Sequence, residues 1–74
     1  MITSGQIRAG RAFAQLSAVQ LAELALLGRA TVLKAENGEG VPPITKANLH
    51  AIKTALEGVG VIFQDDGGVN FAPK

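Results

Sequence analysis

The chain has 74 residues, enough for one small hydrophobic core and too few for two. A hydrophobic share of 47% against 18% charged residues excludes a disordered chain, and the absence of cysteine excludes a disulfide framework or a thiolate metal cluster. Seven Lys and Arg against six Asp and Glu leave a net charge of +1, well short of the basic excess that announces nucleic-acid binding by charge alone.

Thr3-Ser4-Gly5-Gln6 fits a capping box ahead of an apolar-periodic run, so a first helix is predicted from about Gly5 to Gln15. Ile7, Ala9, Ala12, Phe13 and Leu16 supply its apolar residues, Arg8 and Arg11 flank them, and Gly10 weakens the helix by about 1 kcal/mol relative to alanine. Ser17 is the next cap, for a short second helix over Ala18 to Ala25. Gly28 suits a turn, and Arg29 to Glu36 reads as a third helix that Asn37-Gly38 closes with residues tolerant of the left-handed conformation. Pro42 and Pro43 force a loop. A fourth helix follows from about Thr45, its cap, to Glu57, and Gly58 and Gly60 close it. The period then changes to two: Val61-Ile62-Phe63-Gln64 and Val69-Asn70-Phe71 flank Asp65-Asp66-Gly67-Gly68, a hairpin signal. The predicted fold is mainly α, a bundle of four helices over residues 1–60 with a C-terminal β-hairpin and tail over 61–74.

Two short helices joined by a tight turn, with one helix before and one after, form the arrangement of a helix-turn-helix domain. With Ala18 as the first residue of the unit, its interior positions fall on Leu21, Ala22, Val32 and Ala35, all apolar. On these residues, and on Ile2-Thr3-Ser4-Gly5-Gln6-Ile7-Arg8-Ala9, Leu21-Ala22-Glu23-Leu24-Ala25, Arg29-Ala30-Thr31 and Gly40 to Leu49, the chain resembles the phage-repressor/Cro-like (XRE-type) transcriptional regulators over residues 2 to about 64. The resemblance implies a lambda-repressor-like helix-turn-helix bundle, operator DNA as partner, a homodimer, and a recognition helix over about 29–36. Its DNA-facing residues would be Arg29, Ala30, Thr31, Leu33 and Lys34, with Ser17, Asn37, Gly38, Lys46 and Lys53 near phosphates. It also pairs Arg11 with Glu36 as a structural ion pair.

Four positions depart from the family pattern. Ala18 stands where Gln is usual, Leu26 where a turn glycine is usual, Gly28 where a capping Ser or Thr is usual, and Leu33 where a polar or basic residue is usual. Leu26 conflicts most, because a positive φ costs a branched side chain about 1 kcal/mol, which leaves open a reshaped or lengthened turn. Val19, Leu26, Leu27 and Leu33 gather apolar character near one edge, the basis of an alternative in which the scaffold binds another protein, as an anti-activator or antitoxin-like partner would. The hairpin keeps two readings as well: Val61, Phe63, Val69 and Phe71 close the core, or the hairpin's edge joins that of a second subunit.

Nothing in the sequence builds a catalytic centre. His50 is the only imidazole and has no carboxylate at useful spacing, and Asp65 and Asp66 read as turn formers. No cofactor and no metal site are expected. No run approaches the roughly 20 apolar residues of a membrane span, and the first residues lack the pattern of a secretory signal, so a cytoplasmic protein is expected.

Overall fold

A computed structural model describes all 74 residues. The elements in chain order are α1 (Ser4–Ala14), α2 (Ala18–Ala25), α3 (Arg29–Glu36), α4 (Lys46–Gly58), β1 (Val61–Phe63) and β2 (Val69–Phe71). Four helices and an antiparallel hairpin were expected, and the structure has them.

Local chemistry sets the helix starts. The Thr3 hydroxyl accepts from the Gln6 amide at 3.2 Å while the Gln6 carboxamide oxygen accepts from the Thr3 amide at 3.0 Å. Ser17 and Gln20 repeat this reciprocal arrangement at the start of α2, at 3.0 and 2.8 Å. Only a single bond, Asn48 amide to Thr45 hydroxyl at 3.1 Å, caps α4. Each satisfies amides that have no partner within the helix.

Helix α1 ends one residue before the expected Gln15, whereas α2 ends at the expected Ala25. Helix α1 stops at Ala14 because Gln15 is left-handed (φ 56°), and α2 stops at Ala25 because Leu26 is left-handed too (φ 58°). In both, the left-handed residue's amide donates three residues back and the next amide donates five back: Gln15 to Ala12 and Leu16 to Arg11, then Leu26 to Glu23 and Leu27 to Ala22. These are Schellman closures, built here without glycine. The turn at Leu26 is therefore neither reshaped nor lengthened. Leu16 and Leu27, the residues that follow each left-handed position, pack against the core, and this burial offsets the backbone cost. Leu26 itself is 91% exposed, so its side chain contributes nothing in return. Leu26→Gly is expected to raise stability by about 1 kcal/mol, read as a shift in denaturant midpoint at unchanged slope.

The core joins all four helices and the hairpin. Ile7, Leu21, Val32, Ile52 and Leu56 are fully buried, with Ile2, Ala22, Ala25, Ala35, Leu49 and Val61 around them. The interior positions anticipated for the helix-turn-helix unit, Leu21, Ala22, Val32 and Ala35, all lie inside, and small alanines on both helices let α2 and α3 approach closely.

The hairpin pairs Val61 with Phe71, Ile62 with Asn70 and Phe63 with Val69. Its loop is a type I turn closed by left-handed Gly67 (φ 91°), with the Gln64 amide donating to the Gly68 carbonyl at 2.9 Å and the Gly68 amide to the Asp66 carboxylate at 2.9 Å. Period-two alternation places Val61, Phe63, Val69 and Phe71 on one face, toward α1, and exposes Ile62 and Asn70. Phe71 stacks on Phe13 with ring centroids 6.1 Å apart. Gly10 makes this possible, since a Cβ there would lie 3.0 Å from Val61 Cγ1 and 3.5 Å from both Leu56 and Phe63. The helix-weakening glycine is thus the point where sheet meets helix. Gln6 fastens the loop from the same helix, its carboxamide nitrogen donating to the Gln64 and Gly68 carbonyls at 3.0 and 3.1 Å.

No helix is long and apolar enough to cross a membrane.

Candidate nucleic-acid interface

Helix α3 is held from its inner side and its C-terminal end. Val32, Ala35 and Glu36 are buried, while Arg29, Ala30, Leu33 and Lys34 are exposed and Thr31 is half-buried. Arg11 grips Glu36 through two hydrogen bonds, Nε to Oε2 at 2.6 Å and Nη2 to Oε1 at 2.8 Å, and donates a third to the Leu16 carbonyl at 3.0 Å. The hydrogen bond to Glu36 raises the guanidinium's pKa above its ordinary value against an opposing desolvation, and the carboxylate's charge adds to the rise. The ion pair expected from the resemblance is present and ties α1 to the end of α3.

Arg8, one turn before Arg11, was not singled out by the sequence. Its guanidinium donates to the Glu36 carbonyl and, at 2.9 Å, to the Gly38 carbonyl, placing a cation on the negative end of α3. The Ser4 amide donates to the Gly40 carbonyl at 2.8 Å, so the loop after α3 is pinned to the start of α1. These contacts also decide how α3 ends. Asn37, expected to accept the left-handed conformation, is extended (φ −85°), and Gly38 alone takes the positive φ of 94°. An arginine three residues before another, both on one helix face, was the available signal for Arg8.

The other anticipated residues fall around this helix. Arg29 begins α3 after Gly28, which occupies the cap position and offers no side-chain bond. Thr31 and Lys34 share a recess of about 420 Å³ with Pro43, Ile44, Thr45 and Asn48, where the outer face of α3 meets the start of α4. Lys46 is the first residue of α4 and is exposed, so a cation stands beside the positive end of that helix. Thr45 and Asn48 were not foreseen as members of this face, although the capping signal at Thr45 marked the spot. Ser17 sits at the start of α2 with its hydroxyl oxygen engaged in its own cap. Asn37 and Gly38 are exposed beyond the far end of α3. The single ion pair of the protein is Arg11 with Glu36, which leaves Arg29, Lys34 and Lys46 without acidic partners.

Compared with protein-family models and with curated proteins, the chain matches none.

The residues anticipated for a protein or dimer interface separate into two sets. Leu26, Leu33 and Val19 are exposed, at 91%, 42% and 47%, whereas Leu27 packs against the core. Val61 is buried at 2% exposure, and Phe63, Val69 and Phe71 are half-buried and pack against the core. His50 is exposed on α4 with Nε2 3.4 Å from the Thr54 hydroxyl, and Asp66 serves the hairpin turn.

Proposed function

We propose that the chain is a transcriptional regulator that binds operator DNA as a homodimer, with α3 as the recognition helix. The observation that carries this reading is the outer row of α3, Arg29, Ala30, Thr31 and Lys34, held on a helix-turn-helix frame with its cations unpaired. The resemblance to phage-repressor/Cro-like regulators supports it. In the major groove Arg29 donates a bidentate pair to guanine, and Ala30 and the Thr31 methyl meet thymine methyls. Lys34, Lys46 and the amides at the start of α4 meet phosphates. Two subunits place their recognition helices in successive major-groove segments roughly 34 Å apart. The protein acts by binding rather than catalysis, in the cytoplasm.

The test is fluorescence anisotropy against random and upstream-region DNA at two salt concentrations. Arg29→Ala is expected to cost about 1–3 kcal/mol on the preferred site and to relax sequence preference, while Lys34→Ala weakens all sequences alike and lowers the salt slope by about one. Equal losses on specific and random DNA with Arg29→Ala would remove the readout claim.

One observation favours a second reading, in which the scaffold holds another protein: Leu26 is exposed at the turn and Leu33 on α3, where a DNA reader carries polar groups, and Val19 is exposed on α2. Leu33→Arg separates the two. On the DNA reading it strengthens retention on immobilised heparin; on the protein reading it abolishes capture of the partner.

A further inference from the structure

Where the N-terminal residues meet the first half of α4, a recess of about 400 Å³ is lined by Met1, Ile2, Lys46, Leu49, His50 and Lys53. Its volume lies within the roughly 300–1,000 Å³ of small-molecule sites. Two features define its chemistry. The floor is apolar and belongs to the core, with Ile2 and Leu49 only 5% and 4% exposed. Lys46, His50 and Lys53 follow at intervals of four and three, so helical periodicity stacks them along one side of α4. Neither lysine has an ion-pair partner: Asp65 lines the adjoining cleft with Lys53, and Glu57 follows Lys53 by four residues on α4, but neither forms a salt bridge with it.

The geometry points to a binding site for a small amphiphilic anion, a carboxylate or phosphate monoester carrying a short alkyl or aryl body. The body lies against the exposed Met1 side chain and the edge of the floor at Ile2 and Leu49, and the anionic head meets Lys46 and Lys53, with the His50 ring as a further polar partner. A bare inorganic anion leaves the apolar floor wet, and a neutral hydrocarbon leaves two lysines uncompensated, so only the combination uses both halves of the recess. A phosphate of bound DNA offers the same head group without the apolar body. The site is independent of the α3 readout, although Lys46 is shared with the α3–α4 face.

The experiment is an NMR titration of the full chain with octanoate and with octyl phosphate below their micellar concentrations, beside octanol, inorganic phosphate and a short duplex. Expected are saturable shifts at Ile2, Leu49 and Lys53 with both amphiphiles, and at least about tenfold weaker binding in Lys46→Gln/Lys53→Gln. These lysines are surface residues outside the core, and the variant's unperturbed core resonances check that it folds. No saturable shift with either amphiphile overturns the proposal, as does octanol or inorganic phosphate binding equally well. Shifts at these residues with the duplex alone also overturn it and assign the cations to the DNA backbone. Loss of DNA binding with retained amphiphile binding leaves this site standing while removing the regulator reading.

Discussion

Arg11→Met is expected to lower stability by about 3 kcal/mol, near the low end for breaking a buried ion pair because Arg11 keeps some exposure. Glu36 is 7% exposed on its side chain and Arg11 28%, so the variant strands the less hydrated partner. The cost comes from a carboxylate held in the interior without its donors, together with the Leu16 carbonyl, which loses its guanidinium bond at 3.0 Å. Glu36→Gln is expected to cost less, since the amide oxygen still accepts one of the two Arg11 bonds and the charge left unpaired is on Arg11, the more exposed partner. Arg11→Met/Glu36→Leu is expected to recover much of the single-variant loss, because two apolar side chains fill the volume and no buried charge remains, but not all of it, because Leu16 stays unsatisfied. Urea midpoints of the three variants check this. Equal losses for Arg11→Met and the double variant would place the cost at the Leu16 carbonyl rather than in the stranded carboxylate.

Gly60→Ala is expected to destabilise by about 3 kcal/mol and to release the last pairing of the hairpin. Gly60 sits at φ 110°, and a Cβ there would stand 2.1 Å from the Ala72 carbonyl oxygen and 2.8 Å from its carbon. That backbone cannot retreat without breaking the Ala72 amide to Gly60 carbonyl bond at 2.8 Å. Gly38→Ala is the control: its φ of 94° carries the backbone cost, but nothing lies within 4 Å of the added atom, so a loss of about 1 kcal/mol is expected. Thermal melts measure the difference, and hydrogen exchange at the Ala72 amide reports whether the hairpin end has opened. Slow exchange there in Gly60→Ala would contradict this account.

Much of the architecture was legible because it rests on short-range chemistry. The boundaries of α2 and α3, the caps at Thr3, Ser17 and Thr45, and the change of period at Val61 each depend on residues within a few positions of one another. The inner faces of α2 and α3 follow from the same periodicity, which is why Leu21, Ala22, Val32 and Ala35 were assigned to the interior and lie there. The candidate interface was legible in the same way: once α3 is a helix with Val32 and Ala35 inward, Arg29, Ala30 and Lys34 have only the outer side left.

The remaining features depend on partners far away in sequence. Leu26 is left-handed because Leu27 finds the core, Gly10 is required because Val61 arrives against it from the hairpin, and Asn37 stays extended where Arg8 holds the carbonyls on either side of it. Gln6 illustrates both levels in one side chain. Its oxygen completes a cap visible within four residues, and its nitrogen secures a turn some sixty positions later. The same division applies to Val61, Phe63, Val69 and Phe71, whose alternation gave a strand face without saying which way that face turns. Helix α1 takes that face, leaving Ile62 and Asn70 to solvent. Local sequence thus determined which segments are helix, turn or strand, because propensity, capping and periodicity act through neighbours. Only the tertiary structure decided which strained or polar residues are tolerated and what they hold, because their compensation comes from burial and hydrogen bonds supplied by other elements.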